Sequence, residues 1–370
     1  MRNILVTAIS GNVSNGVLKE LQETGDNLYG CDVTDYPVGM TLVHEWSKIC
    51  YARENNYIDE ILNLCNKYRI THLIPVNEEE INHINLNHRR FEDRGIKVLI
   101  NSSKCLDIFL DKYFTSEYLN QIEEGIAPKT YTYDTFKQDN NSSSKYIVKL
   151  RNSCGSKFLK IISHSSELEE LNIDHSSIVI QEYVKYCDNE YTVGVFSDGT
   201  NISTIIFKRK LQHGYTAFVE LCYDDEIARI ARKVARSIKL NGSINIQLRK
   251  NDDKVQIFEI NPRISGTVYF RYLLGFKDVV WWLDSIDGLN YEYKPQYSQA
   301  VGVRELNEKY LILKKNVDIG SDMVKSFTDR QTDRQTDRQT DRQTDRQTDR
   351  QTVIDNNYYY YIDVTESVAA

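Results

Sequence analysis

The segment Phe258-Glu259-Ile260-Asn261-Pro262-Arg263, with Asn245-Ile246-Gln247 upstream of it, decides how this chain is read. Val255–Ile260 and Ser243–Leu248 read as strands. Glu259 and Asn261, two residues apart, therefore project from one face of a strand. A single hairpin would bring the amide oxygen of Gln247 beside them. One carboxylate and two neutral amide oxygens make a hard oxygen site suited to Mg²⁺, which takes few protein ligands and completes its shell with phosphate and water. Arg263 then offers a planar fork for a phosphate or a developing oxyanion. An edge strand with polar residues turned to water gives the same local pattern, so the reading depends on the surroundings.

Upstream lies a cationic cluster. Lys149 ends a strand-like run and leads into Arg151-Asn152-Ser153-Cys154-Gly155-Ser156-Lys157. Backbone N–H groups of such a small-residue loop can cradle phosphate oxygens while Lys149 supplies point charge. Lys112, in Asp111-Lys112-Tyr113, and Lys208-Arg209-Lys210 add further cations. Each of these taken singly reads as a solvated surface charge or a plain hairpin turn. Gln181-Glu182-Tyr183-Val184, followed by Glu190, reads as a strand leaving a sheet. Exposed backbone there can pair with an adenine edge, and a carboxylate a few residues on can take ribose hydroxyls.

Further outward, the first hundred residues alternate strand and helix signals: Ile4–Ala8, then Val17, Leu18 and Leu21 at helical spacing, then Ile58, Ile61, Leu62 and Leu64, then His72–Val76 and Lys97–Ile100. That alternation predicts a parallel sheet covered on both faces. From Lys104 the pattern becomes α+β. A helix is expected over Leu106–Ile122. Strands follow at Tyr146–Lys149, Phe158–Ile162, Ile178–Glu182, Tyr191–Phe196 and Ile202–Phe207, in an antiparallel or mixed sheet, with a helix over Glu226–Ile238. The expected domains are 1–104, 105–320 and a tail, 321–370.

The 370 residues carry a net charge of −7, with 41% hydrophobic and 27% charged residues. This excludes a chain disordered throughout and the broad basic surface of a generic nucleic-acid binder. No apolar run approaches the roughly 18 residues that a bilayer demands. Met1–Val6 runs straight into a strand-like segment without a signal-peptide pattern. Seven cysteines without a CxxC pair fit reduced thiols. A cytoplasmic protein with no membrane or nucleic-acid partner is the expectation.

Thr328–Gln351 is six identical copies of Thr-Asp-Arg-Gln. It has no apolar residue with which to bury a core, so a solvated coil is expected. The peptide can be written ACA GAC AGA CAG, a repeated ACAG tetranucleotide. Four is not a multiple of three, so gain or loss of a unit shifts the frame downstream, while all three frames of the tract encode the same cyclic peptide. The expectation is a slippage tract that switches Val353–Ala370. An ordinary linker encoded by mixed synonymous codons is the alternative.

Together and in this order, these residues resemble the ATP-grasp superfamily, most closely the branch around the carbamoyl-phosphate synthase large subunit and related carboxylate–amine ligases. The resemblance covers about residues 1–310. It implies an α/β pre-ATP-grasp domain followed by a two-lobed α+β ATP-grasp fold closing on ATP. It also implies a ligase that phosphorylates a carboxylate and passes the acyl group to an amine or a thiol. By this resemblance Lys112 and Lys149 bind phosphate, and Gly155 and Ser156 lie in the phosphate-covering loop. Glu182, Tyr183 and Val184 meet adenine, and Glu190 meets ribose. Arg209 lies near the γ-phosphate and Arg263 over the acyl phosphate. Gln247, Glu259 and Asn261 ligate Mg²⁺, with Mn²⁺ as an alternative metal. The loop at Gly155 is shorter than the family's multi-glycine version and contains Cys154. The partners implied are a small-molecule carboxylate and an amine, and a homodimer is left open. Asn77 and Glu78, after the His72–Val76 strand, are substrate-side candidates. Two other readings stand beside this one: a dinucleotide-dependent oxidoreductase or epimerase built on the amino-terminal domain, whose Ser10–Gly16 loop lacks the full GxGxxG spacing, and a nucleotide-binding protein without catalysis.

Overall fold

Ile4, Leu5 and Val6 are fully buried and form the middle of the first sheet. In this computed structural model, which describes residues 1–136, 145–152, 158–164, 166–184, 190–212, 214–250 and 254–304, the amino-terminal elements run β1 (Asn3–Val6), α1 (Asn12–Leu21), β2 (Asn27–Asp32), β3 (Glu45–Lys48), α2 (Tyr57–Lys67), β4 (His72–Ile74), α3 (Glu78–Leu86), α4 (His88–Glu92) and β5 (Lys97–Val98). The strand order is β3-β2-β1-β4-β5, and every pair is parallel. The alternating pattern predicted this. Short β2 and β3 carry polar residues and were not legible. Strand order reverses between β2 and β4 around β1, so ligands of such a sheet are received at the carboxyl ends of those strands. Glu78 opens α3 at that edge.

The expected helix over Leu106–Ile122 is two helices, α5 (Ser103–Phe109) and α6 (Lys112–Ile122). Asp111 breaks it. Its carboxylate accepts hydrogen bonds from the amides of Tyr113 and Phe114, capping α6. The break sets Lys112 at the first position of a new helix.

A four-stranded antiparallel sheet follows, built from β6 (Thr130–Tyr131), β7 (Tyr146–Leu150), β8 (Leu159–Ile162) and β9 (Ile178–Glu182) in the order β6-β9-β7-β8, with α7 (Ser166–Glu169) between β8 and β9. A six-stranded antiparallel sheet comes next: β10 (Glu190–Asp198), β11 (Ile202–Gln212), β12 (Tyr215–Cys222), α8 (Asp225–Ser237), β13 (Asn241–Lys250), β14 (Val255–Asn261), α9 (Val268–Leu273), α10 (Asp278–Ile286) and β15 (Val301–Val303), in the order β14-β13-β10-β11-β12-β15.

The two faces of the large sheet differ. Val193 and Val195 of β10 point into one core with Ile227, Ile230 and Val234 of α8. Phe196 of β10 and Phe207 of β11 point the other way, into a core shared with Ile4, Val17 and Leu18 of the first sheet's layer. Packing therefore runs across the boundary expected at residue 104. The tail from residue 321 and its repeats lie outside the described residues.

Candidate active site

The face of the large sheet that turns toward Phe196 and Phe207 changes character along its strands. In the register of β14, β13 and β10, Asn261 stands opposite Asn245 and Asn245 opposite Gly194. One step along, Glu259 stands opposite Gln247, Gln247 opposite Thr192 and Thr192 opposite Phe207. The next step pairs Arg249 with Glu190. The period-two alternation thus places Gln247, Glu259 and Asn261 on one face, as the sequence predicted.

The register slips just beyond. Gln247 pairs with Glu259 but Leu248 pairs with Ile257, so Phe258 has no partner on β13. Such a bulge re-aims a side chain. The Phe258 ring lies 5.5 Å from Nζ of Lys149 and 5.6 Å from the guanidinium carbon of Arg249, within cation–π range. It lines an open cleft with Glu78, Phe109, Leu110, Lys112, Thr115, Glu259, Ile260 and Asn261.

The cations are held by named partners. Arg209 donates from Nη2 to Oε1 of Glu190 and to Oε1 of Gln247, both at 2.8 Å. Arg249 donates to the other oxygen of Glu190 at 3.1 Å and to the carbonyl of Val184 at 2.9 Å. Lys149 donates to Oε1 of Gln181 at 2.7 Å, and Gln181 in turn donates to Thr130 at 2.9 Å. Burial pulls the Lys149 ammonium down to about 8. Glu259 and Glu190 oppose that shift, and the charges of Lys112 and Arg249 add to it. Arg263 lies 3.1 Å from Glu78 Oε1 and donates to Asn261 Oδ1 and to the Ile264 carbonyl, each at 3.1 Å. Its loop is pinned by Asn101, which donates to the carbonyls of Ser243 and Pro262.

Five cations (Lys112, Lys149, Arg209, Arg249 and Arg263) thus meet three carboxylates (Glu78, Glu190 and Glu259). That balance suits a polyanion. Among the described residues the Glu259 carboxylate accepts no hydrogen bond, and each amide oxygen of Gln247 and Asn261 keeps a second lone pair. One carboxylate with two amide oxygens fits a divalent cation such as Mg²⁺.

Some expectations are reshaped. Glu190, read as a ribose acceptor, has both oxygens occupied by Arg209 and Arg249. The amides of Glu182 and Tyr183, read as meeting adenine, already donate to the carbonyls of Lys129 and Lys145, and the Val184 carbonyl accepts from Arg249. Asn77 spends its side chain capping α3. Cys154, Gly155 and Ser156 lie outside the described residues. The sequence reading named no role for Arg249, and it quoted Gln181 without foreseeing its contact with Lys149. Arg249 was readable as the next same-face residue after Gln247.

Two family profiles match the chain. The one described as "PylC-like, N-terminal domain" covers residues 5–99, and the one described as "ATP-grasp in the biosynthetic pathway with Ter operon" covers residues 174–309. The chain belongs to the ATP-grasp superfamily. A tyramine–L-glutamate ligase of Methanocaldococcus jannaschii is 25% identical over 233 residues, 59% of this ATP-grasp chain and 63% of the relative. A carbamoyl phosphate synthase large chain of Clostridium acetobutylicum is 23% identical over 237 residues, 58% of this chain and 22% of the relative. The matches thus span less than two thirds of either relative. Among solved structures, a biotin carboxylase from Campylobacter jejuni superposes with a TM-score of 0.66 at 12% identity, over 82% of this chain and 76% of that one. The ATP-grasp architecture, a PylC-like amino-terminal domain followed by the ATP-grasp domain, accounts for the order of the three sheets. Among the described residues no helix is long and apolar enough to cross a membrane.

Proposed function

We propose that this ATP-grasp chain is an ATP-dependent ligase that activates a carboxylate as an acyl phosphate and transfers it to an amine. The observation that carries the reading is the ordered face of β13 and β14, where Gln247, Glu259 and Asn261 share one side of the sheet beside Arg209 and Arg263. The relatives named for carbon–nitrogen bond formation support it. Mg²⁺ bound by these three side chains would neutralise charge on the phosphates of ATP. Lys112 and Lys149 bind phosphate oxygens, and the Phe258 ring keeps water from one side of the Lys149 ammonium. Arg209, clamped by Glu190 and Gln247, holds a fixed charge where the transferred phosphoryl group gathers its own. Arg263 faces the acyl phosphate. Catalysis of this kind is positioning and electrostatic stabilisation.

ADP release over a panel of amino acids, amino sugars and amines, with L-glutamate and tyramine included, tests the reading. Stimulation by one acid–amine pair supports it. Tight ATP binding with no turnover by any pair would leave a nucleotide-binding protein instead. The finer proposal, decoration of a cell-surface polysaccharide under phase variation, rests on the Thr-Asp-Arg-Gln tract alone. Every described residue of the candidate site precedes that tract, so a frame change would replace the tail and spare the site. Uninterrupted ACAG units in the gene support the switch, and mixed synonymous codons reject it.

A further inference from the structure

The cleft holds a carboxylate that phosphoryl transfer does not require. Glu78 lines it together with Lys112, Glu259 and Asn261, and its Oε1 lies 3.1 Å from Nη2 of Arg263, with the two side chains 15% and 13% exposed. An acid beside the guanidinium that meets an acyl phosphate repels that phosphate, unless it serves a cation of its own. Both ends of the pair keep unused capacity. The second oxygen of Glu78 accepts no hydrogen bond among the described residues, and Nε of Arg263 is buried without a partner there. Neighbouring Asn77 cannot share the role, because its side chain is committed to the Glu79 amide.

Resting on the ligase reading above, we propose that Glu78 binds the ammonium of the second substrate and takes its proton, which makes that substrate a cationic primary amine. An acyl phosphate arriving at Arg263 gives the guanidinium a new anionic partner and releases the Glu78 oxygen. The ammonium passes one proton to Glu78, and its freed lone pair forms the C–N bond at the acyl carbon. The acyl C–O bond breaks with its electron pair leaving on phosphate, and the second N–H proton departs with that phosphate. A thiolate, being anionic, is repelled from the same position, so the geometry points to an amine over a thiol.

The test compares two nucleophiles on the full chain with Mg-ATP. Hydroxylamine, uncharged at neutral pH, traps acyl phosphates as hydroxamates, and the twenty amino acids serve as trial carboxylates. No hydroxamate from any of them in the wild type rejects the ligase reading itself, and Glu78's role with it. With an accepted acid, Glu78→Gln is expected to slow coupling to cationic amines, tyramine among them, roughly 100-fold. Hydroxamate formation should fall less than about tenfold, and Glu78→Asp should recover part of the amine rate. Equal falls with both nucleophiles, in the Gln and the Asp variant alike, would show that Glu78 merely steadies Arg263 and would overturn the proposal. Unchanged amine coupling in Glu78→Gln, or a wild type that forms hydroxamates but couples no cationic amine, would overturn it equally.

Discussion

Gln247 faces Glu259 directly across the β13–β14 pair, and its amide oxygen receives a guanidinium hydrogen bond from Arg209 at 2.8 Å. One side chain therefore joins the candidate metal donors to the candidate phosphate cations. Arg209 bridges Gln247 and Glu190 at once through its planar fork, and a lysine ammonium lacks that fork. Arg209→Lys should keep the charge and lose the bridge. The expected result is a fall in kcat of roughly 10²-fold, as for removal of one preorganised donor, with a smaller change in KM for ATP. Steady-state ADP release at saturating substrate measures it.

Lys149 makes ATP affinity depend on pH. Its ammonium, drawn down to about 8 chiefly by burial, is charged below that pH and neutral above it. Affinity should hold up to about pH 8 and then weaken by up to about tenfold per pH unit. Bound phosphates favour the charged form, so binding above pH 8 takes up a proton. Calorimetry in two buffers of different ionisation enthalpy reads that proton directly. In Lys149→Met the pH slope should flatten and the proton uptake disappear.

Behind the site lies a buried charge pair. Arg271 and Asp278 are fully buried and joined at 2.8 Å, and Arg271 also donates to Ser265, two residues beyond Arg263. A Cβ on Gly194, in the same cross-strand row as Asn245 and Asn261, would come within 2.5 Å of Cδ of Arg271. Gly194→Ala should therefore destabilise the fold by about 1–3 kcal/mol, measured by denaturant unfolding, and displace the loop that carries Arg263.

Glu20, fully buried, has its carboxyl raised well above the ordinary range, by burial first and then by the Asp278 charge. A raised carboxyl contributes stability at low pH that is lost as pH climbs toward the raised value. Glu20→Gln removes that loss. Its melting temperature should gain on the wild type as pH rises through the range that starts at the ordinary carboxylate value, in a thermal unfolding series. A constant difference across that range would contradict the assignment.

What the sequence made legible follows from period and chemistry. Alternation of strand and helix revealed the parallel sheet, and the two-residue spacing of Glu259 and Asn261 put both on one face. Gln247 was placed correctly because a short hairpin has few registers. The bulge at Phe258 was hidden, since an aromatic residue in an apolar strand carries no sign of losing its partner. Occupation of Glu190 by two arginines was hidden too, because β10 meets β11 and β13 on opposite edges and only the folded sheet brings Arg209 and Arg249 to it. The break at Asp111 was readable in retrospect from a capping residue ahead of Lys112. Short β2 and β3, with mixed polarity, offered no periodic signal.

Glu259, with Gln247 and Asn261, would seat the metal that brings ATP into the proposed reaction. Magnesium-dependent ADP release, stimulated by an accepted carboxylate, measured side by side for the wild type and Glu259→Ala, tests it most directly. Release from the variant should stay at background at every magnesium concentration, with the fold intact by circular dichroism. Undiminished release from a folded Glu259→Ala protein would contradict it.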